Sequence, residues 1–398
     1  MTTVTRPEVE QLARDLPIDR ASPAVTAYRD RVRGLLGTHA VPALDQAERE
    51  RSFPRGVVRR LGATGLFRER WEGGPNGSVG RSVLLAEEMG RAGLGGVGVG
   101  LSLHLEAATG LLRRYARTPY AATVLDRCLA GEYVACVATS EEHVGSDLAD
   151  VRTELRRDGT GWRVSGTKWF VSPGAAADVL VVLCRAEDGP ALVLVPREGA
   201  VVLKRLQTMG MRSLETARMR IDCTVGDEAV LVRPGLGLAA LAWGLRNERL
   251  SVAALILGSA RLALALATAR MRRRRQFGVP LHEHQALRLR VAELTAQVEV
   301  ARRGLYSTVA ELAAGGPITL CDVAGLKVTT ARLGERVVSE CMHIFGGEGY
   351  LEDETPLPRL LRDLRVGRVG GGTDEMMLEL VASGLPDDRE TYDHWIGR

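Results

Sequence analysis

Several features are scarce or missing in this 398-residue chain, and each absence narrows what it can be. Lysine is nearly absent: among 53 Lys and Arg residues only Lys168, Lys204 and Lys327 are lysines. So strong a preference for arginine reads as the codon bias of a GC-rich coding sequence rather than as chemistry. Paired cysteines are missing. Cys128, Cys136, Cys184, Cys223, Cys321 and Cys341 are scattered without a CxxC, mostly in apolar stretches. That excludes a zinc ribbon or a disulfide framework and suits a reducing cytoplasm. No uninterrupted apolar run is long enough for a membrane span, since Leu250 to Ala267 is broken by Ser, Gly and Arg261 and reads as a buried amphipathic helix. The first residues, Met1 to Leu16, are polar and carry Arg and Asp, so no signal peptide is expected. Low-complexity tracts and short repeats are also missing. The formal charge of +4 is too mild for a nucleic-acid binder, although it favours anionic small molecules or an acidic partner.

What is present is ordinary globular composition, 45% hydrophobic and 26% charged, in three blocks. From about Ser22 to Ala130 apolar residues recur at spacings of three and four, as in Val57–Leu66, Val83–Gly90 and Leu111–Leu129, which predicts helices. From Tyr133 to Pro234 the period falls to two. Val134–Thr139, Trp162–Val164, Trp169–Val171, Val179–Cys184 and Ala191–Val195 read as short strands between Gly and Pro turns. From Gly235 to Gly384 helical periodicity returns in stretches of more than twenty residues. The expected domains are 1–132, 133–235 and 236–398: helical, β and helical. Strands that do not alternate with helices exclude a doubly wound nucleotide fold.

Four local patterns mislead. Gly93 to Gly98 matches G-x-G-x-x-G, but it follows a helix and lacks the distal acid, so a flexible helix–helix connection is expected. His282-Glu283-His284 places its imidazoles on different sides of a helix with no third ligand, so no metal is expected. Gly161 to Lys168 has P-loop glycines without Gly-Lys-Ser/Thr and reads as a turn between strands. Arg270 with Arg272 to Arg275 reads as a solvated helix end or an anion site.

Four other segments point to chemistry when taken together. Ser140-Glu141-Glu142-His143-Val144-Gly145-Ser146-Asp147 leaves the first strand with hydroxyls and free backbone N–H groups, suited to a phosphate or a heterocycle. Lys168-Trp169-Phe170-Val171-Ser172 is an aromatic strand that can lie against a flat ring. Arg274-Arg275-Gln276-Phe277-Gly278 precedes Gln285. His343 to Tyr350 and Gly370-Gly371-Gly372-Thr373-Asp374-Glu375 carry glycine pairs that let backbone approach a pyrophosphate.

On these segments the chain resembles the acyl-CoA dehydrogenase family over nearly its whole length. Phe53-Pro54, Leu61 to Phe67, and Glu87-Glu88 ahead of His104 add to the likeness. The family's "TEPGAGSD" stands as Ser140 to Asp147, "KxWITN" as Lys168 to Ser172, and "RxxFG…Q" as Arg274 to Gln285. "QIFGGxGY" stands as His343 to Tyr350, and "GTxE" as Gly372 to Glu375. The resemblance implies an N-terminal helical domain, a middle β-barrel or sandwich domain and a C-terminal four-helix bundle. It also implies a homotetramer, or a dimer, holding FAD across a subunit interface. Val137, Thr139, Ser140, Gly145 and Ser146, with Phe170, Val171 and Ser172, would then hold the flavin. Arg274, Gln276, Phe277, Gln285, His343, Gly346 and Gly347 would reach the FAD of the neighbouring subunit, and Thr373 and Glu375 its adenosine half. Ser146, Arg249, Gly370 and Gly372 would border the substrate.

The family's reaction removes an α proton and a β hydride from an acyl thioester, and the proton needs a carboxylate base in a dry pocket. Many relatives place that glutamate in "YEGT", where this chain has Gly371. In the isovaleryl and long-chain enzymes it sits in an "ER" pair, matched here by Asn247-Glu248-Arg249-Leu250. Glu248 is therefore the expected base, with the N–H of Gly371 facing the thioester carbonyl, and the bare Gly370-Gly371 wall implies a branched or wide acyl group. Departures at Glu141-Glu142-His143, at His343 and at Tyr115 to Tyr120 leave the thiol carrier open between CoA and an acyl carrier protein. An electron-transfer flavoprotein is the expected acceptor. Two other readings stand beside this one: a flavin monooxygenase or oxidase on the same scaffold, and a flavin-binding protein without turnover.

Overall fold

The computed structural model describes residues 23–74 and 76–397; Met1 to Leu16, where no signal peptide is expected, lie outside them. The chain begins with helices α1 (Pro23–His39), α2 (Val41–Glu50), α3 (Arg55–Ala63), α4 (Leu66–Arg70) and α5 (Val79–Arg91). Helices α6 (Gly95–Ser102), α7 (Thr109–Tyr115) and α8 (Pro119–Ala130) follow, with a single π-helical segment, Leu103–Ala108, joining α6 to α7. Gly65 at φ 83° separates α3 from α4. The expected helix over 111–129 is two helices, because Pro119 cannot continue a helix and Thr118 caps the second by accepting from the Ala121 N–H.

The Gly93–Gly98 segment departs from expectation. It is not a flexible connection: Gly95 opens α6, and the glycines allow close packing. A Cβ on Gly98 would lie 2.5 Å from Leu255 Cδ1, and one on Gly96 2.5 Å from Ser213 Oγ. Here the lost propensity of glycine is the condition for close contact with both of the other blocks.

The middle block is one eight-stranded sheet: β1 (Ala135–Ala138), β2 (Glu154–Asp158), β3 (Gly161–Val171), β4 (Val179–Ala186), β5 (Gly189–Pro196), β6 (Ala200–Arg205), β7 (Ala217–Val225) and β8 (Val230–Val232). Its order is β6-β7-β3-β2-β4-β5-β8, with β1 parallel to β4. The residues from Gly161 to Lys168, expected to turn, run straight through β3, where Gly166 leaves room for Thr153. The two short strands expected around them are one. Strand β2, charged along its exposed face, and β6, β7 and β8 escaped the period-two reading. Register between β3 and β7 shifts between Lys168 and Val171, and Phe170 in that bulge has φ 55°.

The third block opens with α9 (Gly237–Arg273), then a ribbon of β9 (Arg275–Gln276) and β10 (Val279–Pro280). Helices α10 (Gln285–Ala313), α11 (Leu320–Phe345), α12 (Gly347–Tyr350), α13 (Leu357–Leu364), α14 (Asp374–Ser383) and α15 (Arg389–Trp395) complete it. Helix α9 is long and apolar enough to cross a membrane by length and composition, yet 78% of its most apolar window is buried inside the protein. It is the central core helix. Leu250 to Ala260 is buried without a break, against α5 on one side and α11 on the other. Removing one of these side chains, as in Leu255→Ala, costs about 2–5 kcal/mol. The buried Glu87 ties α5 to the other helices: Arg261 donates to it at 2.6 Å, Arg302 at 2.7 Å, and the Tyr306 hydroxyl also donates.

Candidate active site

Three turns into α9, not at its start, the buried run from Asn247 gathers the polar groups. Glu248 is only 4% exposed, and its Oε2 has no hydrogen-bond partner. Burial pushes its carboxyl up to about 7; the charges of Arg249 and Lys327 oppose this, and Glu106 adds to it. A buried carboxyl with a bare oxygen and a raised proton affinity has the properties of a base awaiting a substrate proton.

Facing it is the glycine loop before α14. Gly371 and Gly372 have φ 66° and 106°, a region that side chains rarely enter. A Cβ on Gly371 would lie 3.0 Å from Glu248 Oε2. Arg249 Nε donates to the Gly371 carbonyl at 2.8 Å and Lys327 Nζ to the Gly372 carbonyl at 2.5 Å. Both carbonyls are thus held by cations. The structure therefore brings Glu248, Arg249, Gly371 and Gly372 together. Gly370 stands apart: its Cβ would meet Val366, so its missing side chain widens nothing beside Glu248.

The π-helical segment closes the other side. Glu106 and Arg70 form a buried bidentate pair, Nε to Oε1 at 2.9 Å and Nη2 to Oε2 at 2.6 Å. His104 accepts the Ala135 N–H on Nδ1 at 3.0 Å, and burial pulls its imidazole down to about 4, so it is neutral. That bond ties β1 to the helices that frame Glu248.

Two segments expected to bind a cofactor lie side by side. The Trp169 N–H donates to the Ser140 carbonyl at 2.8 Å, and Val137 bridges Ser172. Phe170, 63% exposed, projects from the bulge, and Trp169 Nε1 is buried with no partner. Ser172 is buried with its hydroxyl 2.8 Å from that of Thr216. Thr139 and Ser140 are half-buried, Gly145 and Ser146 are exposed, and a Cβ on Gly145 would meet nothing. The Val171 side chain is in the core, so only its backbone is available.

The loop is anchored by a pair that pattern reading missed. Glu141 accepts from Lys168 Nζ at 2.8 Å, the Thr153 N–H at 2.8 Å and the Arg152 N–H at 2.9 Å. Burial pushes its carboxyl up, but the bonds from Lys168 and Thr153 more than offset this and hold it low. Its position in a polar run gave a signal of surface, while the internal Lys on β3 was the available clue.

The residues expected to reach a neighbouring subunit are on the surface. Arg274, Gln276, Gln285, His343, Gly346 and Gly347 are exposed, and Phe277 is 94% exposed with φ 52°. The Thr373 hydroxyl caps α14 by accepting from the Met376 N–H at 3.3 Å, while Glu375 is exposed on the first turn. The exposed aromatics, open glycines and orphaned indole N–H fit a long, flat, phosphate-bearing group such as a flavin dinucleotide. Among the described residues no cluster of three or more His, Cys, Asp or Glu is placed to hold a metal ion.

Comparison with known proteins agrees with this geometry. Family models match residues 22–132 (acyl-CoA dehydrogenase, N-terminal domain), 136–224 (middle domain) and 235–385 (C-terminal domain). The chain is 44% identical over 378 residues to acyl-[acyl-carrier-protein] dehydrogenase MbtN of Mycolicibacterium paratuberculosis, covering 93% of this chain and 96% of that one. It is 27% identical to mitochondrial isovaleryl-CoA dehydrogenase of Pongo abelii, over 94% of this chain and 92% of that one. A crystal structure of a putative acyl-CoA dehydrogenase from Mycobacterium smegmatis superposes with a TM-score of 0.86 at 28% identity, covering 91% of this chain and 97% of that one. The chain belongs to the acyl-CoA dehydrogenase family.

Proposed function

We propose that this protein catalyses FAD-dependent α,β-dehydrogenation of an acyl thioester borne by an acyl carrier protein, giving the 2-enoyl thioester. The observation that carries the chemistry is the buried Glu248, with Oε2 unpartnered and directed at the space left by Gly371. The carrier is read from relatives named acyl-[acyl-carrier-protein] dehydrogenase at 42–45% identity, against 27–29% for those named as CoA enzymes.

FAD would be held by the Val137–Ser146 loop and the Phe170–Ser172 segment of one subunit and the Arg274–Gln285 and His343–Gly347 segments of another; it supplies the acceptor for the β hydride. The protein performs the rest. Glu248 Oε2 takes the α proton, and its burial makes the carboxylate a stronger base than one in water. The Gly371 N–H donates to the thioester carbonyl as negative charge gathers there. Arg249 and Lys327 hold that loop rigid through its carbonyls, so the donor needs no reorganisation during reaction. The proposal includes a homo-oligomer, tetramer ahead of dimer, an electron-transfer flavoprotein as acceptor, and a cytoplasmic setting that suits six free cysteines.

The test is anaerobic titration of the purified flavoprotein with a panel of straight and branched acyl thioesters, on CoA and on a carrier protein. Bleaching of the oxidised flavin by carrier-bound thioesters, at lower concentration than by CoA thioesters, is expected. A flavin that no thioester bleaches refutes the activity, and preference for CoA refutes the carrier.

A further inference from the structure

Lys327 is conspicuous before its role is considered. It is one of three lysines in a chain rich in arginine, and it is 3% exposed two turns into α11. Burying an ammonium group is costly unless something compensates it. Yet among the described residues no carboxylate lies within ion-pair distance. The nearby Asp374 is engaged by Arg332 at 3.0 Å and Arg368 at 2.8 Å. What Lys327 does bind is the carbonyl of Gly372.

That carbonyl belongs to the loop facing Glu248. Two successive left-handed glycines form a soft hinge with many alternative conformations. Arg249 holds the first carbonyl and Lys327 the second, so the two cations select one of those conformations. We propose that Lys327 is a positioning residue for proton abstraction: its ammonium group fixes the Gly371–Gly372 turn and keeps a positive charge behind the Glu248 carboxylate. This rests on Glu248 being the base.

The charged groups around the pair come from four elements. Arg249 shares α9 with Glu248, Glu106 faces Glu248 from the π-helical segment, Lys327 reaches it from α11, and Asp374 and Glu375 act on Lys327 from α14. Arg249 and Lys327 favour the Glu248 carboxylate and Glu106 opposes it. Loss of Lys327 therefore raises the pH at which Glu248 loses its proton.

Infrared titration of the flavoprotein reads this without turnover. The wild-type-minus-Glu248→Gln difference isolates the Glu248 carboxyl band, with an expected midpoint near pH 7. In Lys327→Met the midpoint should rise by about one pH unit, and Lys327→Arg should bring it most of the way back. Lys327→Gln, which keeps a donor for the Gly372 carbonyl but no charge, should resemble Met in midpoint and wild type in melting temperature. This variant serves if Met fails to fold. An unchanged midpoint in both neutral variants overturns the role of Lys327 and leaves Glu248 as base. A difference spectrum with no carboxyl titrating between pH 5 and 9 overturns both.

Discussion

The α-carbon of Gly371 and the carboxyl of Glu248, 123 positions apart in sequence, share one small volume: a Cβ added to the first would sit 3.0 Å from Oε2 of the second. In relatives with "YEGT" the base is attached on the Gly371 side of this volume. In this chain the carboxyl that reaches it, the proposed base Glu248, enters from α9. The two arrangements are alternative routes for a carboxylate to one place, which is why a glycine at 371 does not imply an inert protein.

Gly371→Ala tests that proximity. The added methyl would crowd Oε2, and alanine at φ 66° costs about 1 kcal/mol or more of backbone strain. The expected result is at least a tenfold slower flavin reduction by the best thioester of the panel, with flavin content unchanged. Gly370→Ala, whose Cβ meets Val366 instead, should stay within about twofold of the parent rate.

Glu248→Gln should stabilise the protein in a pH-dependent way. The folded-state value of about 7 lies above the ordinary 4.5, so the native state binds more protons than the unfolded state between those pH values. Stability therefore falls as pH rises through that window, by up to about 3 kcal/mol for a shift of this size. A neutral amide escapes the penalty. Melting temperatures of the two proteins should nearly coincide at pH 4.5, with the variant higher at pH 8.

As the proposed base, the same carboxyl should set the pH profile of the reaction. Proton abstraction needs the carboxylate, so the flavin reduction rate should climb with unit slope below about pH 7 and level off above it. Stopped-flow measurement at saturating thioester reads the limb directly. A limb near pH 4.5 would mean a solvated base.

Lys168→Met should be among the most damaging single substitutions in the β domain. It leaves the Glu141 carboxylate buried beside β3 without its ammonium partner, at a cost of about 3–5 kcal/mol. Adding Glu141→Gln should return part of that stability, measurable by urea unfolding of the two single variants and the double variant.

Phe277→Ala tests the assembled cofactor site. A phenylalanine this exposed, held at φ 52°, gains nothing from burial within its own subunit. The expected variant is folded by circular dichroism but retains less flavin on purification and assembles less completely in sedimentation.

Much of this was legible in the residues themselves. Periodicity separates helical, β and helical blocks, because burial of one face imposes period 3.6 or 2 wherever an element packs on one side. The Asn247-Glu248-Arg249 run and the glycine motifs point to the candidate site because their residue types are chemically demanding. Periodicity fails where an element is constrained otherwise. The glycines of α6 look like a loop because their value is in contact with Leu255 and Ser213, which sequence neighbours do not reveal. Strand β2 hides because its exposed face is charged.

What the chain alone determines is therefore the order of its elements and the residues able to do chemistry, since both follow from local covalent and hydropathic constraints. Tertiary structure decides which of them meet. That Glu248 is dry, that Gly371 opens toward it, that Glu141 turns inward to Lys168 and that Lys327 clamps the Gly372 carbonyl all depend on segments 27 to 123 residues apart packing together. The desolvation that makes a carboxylate a base exists only once those segments close around it.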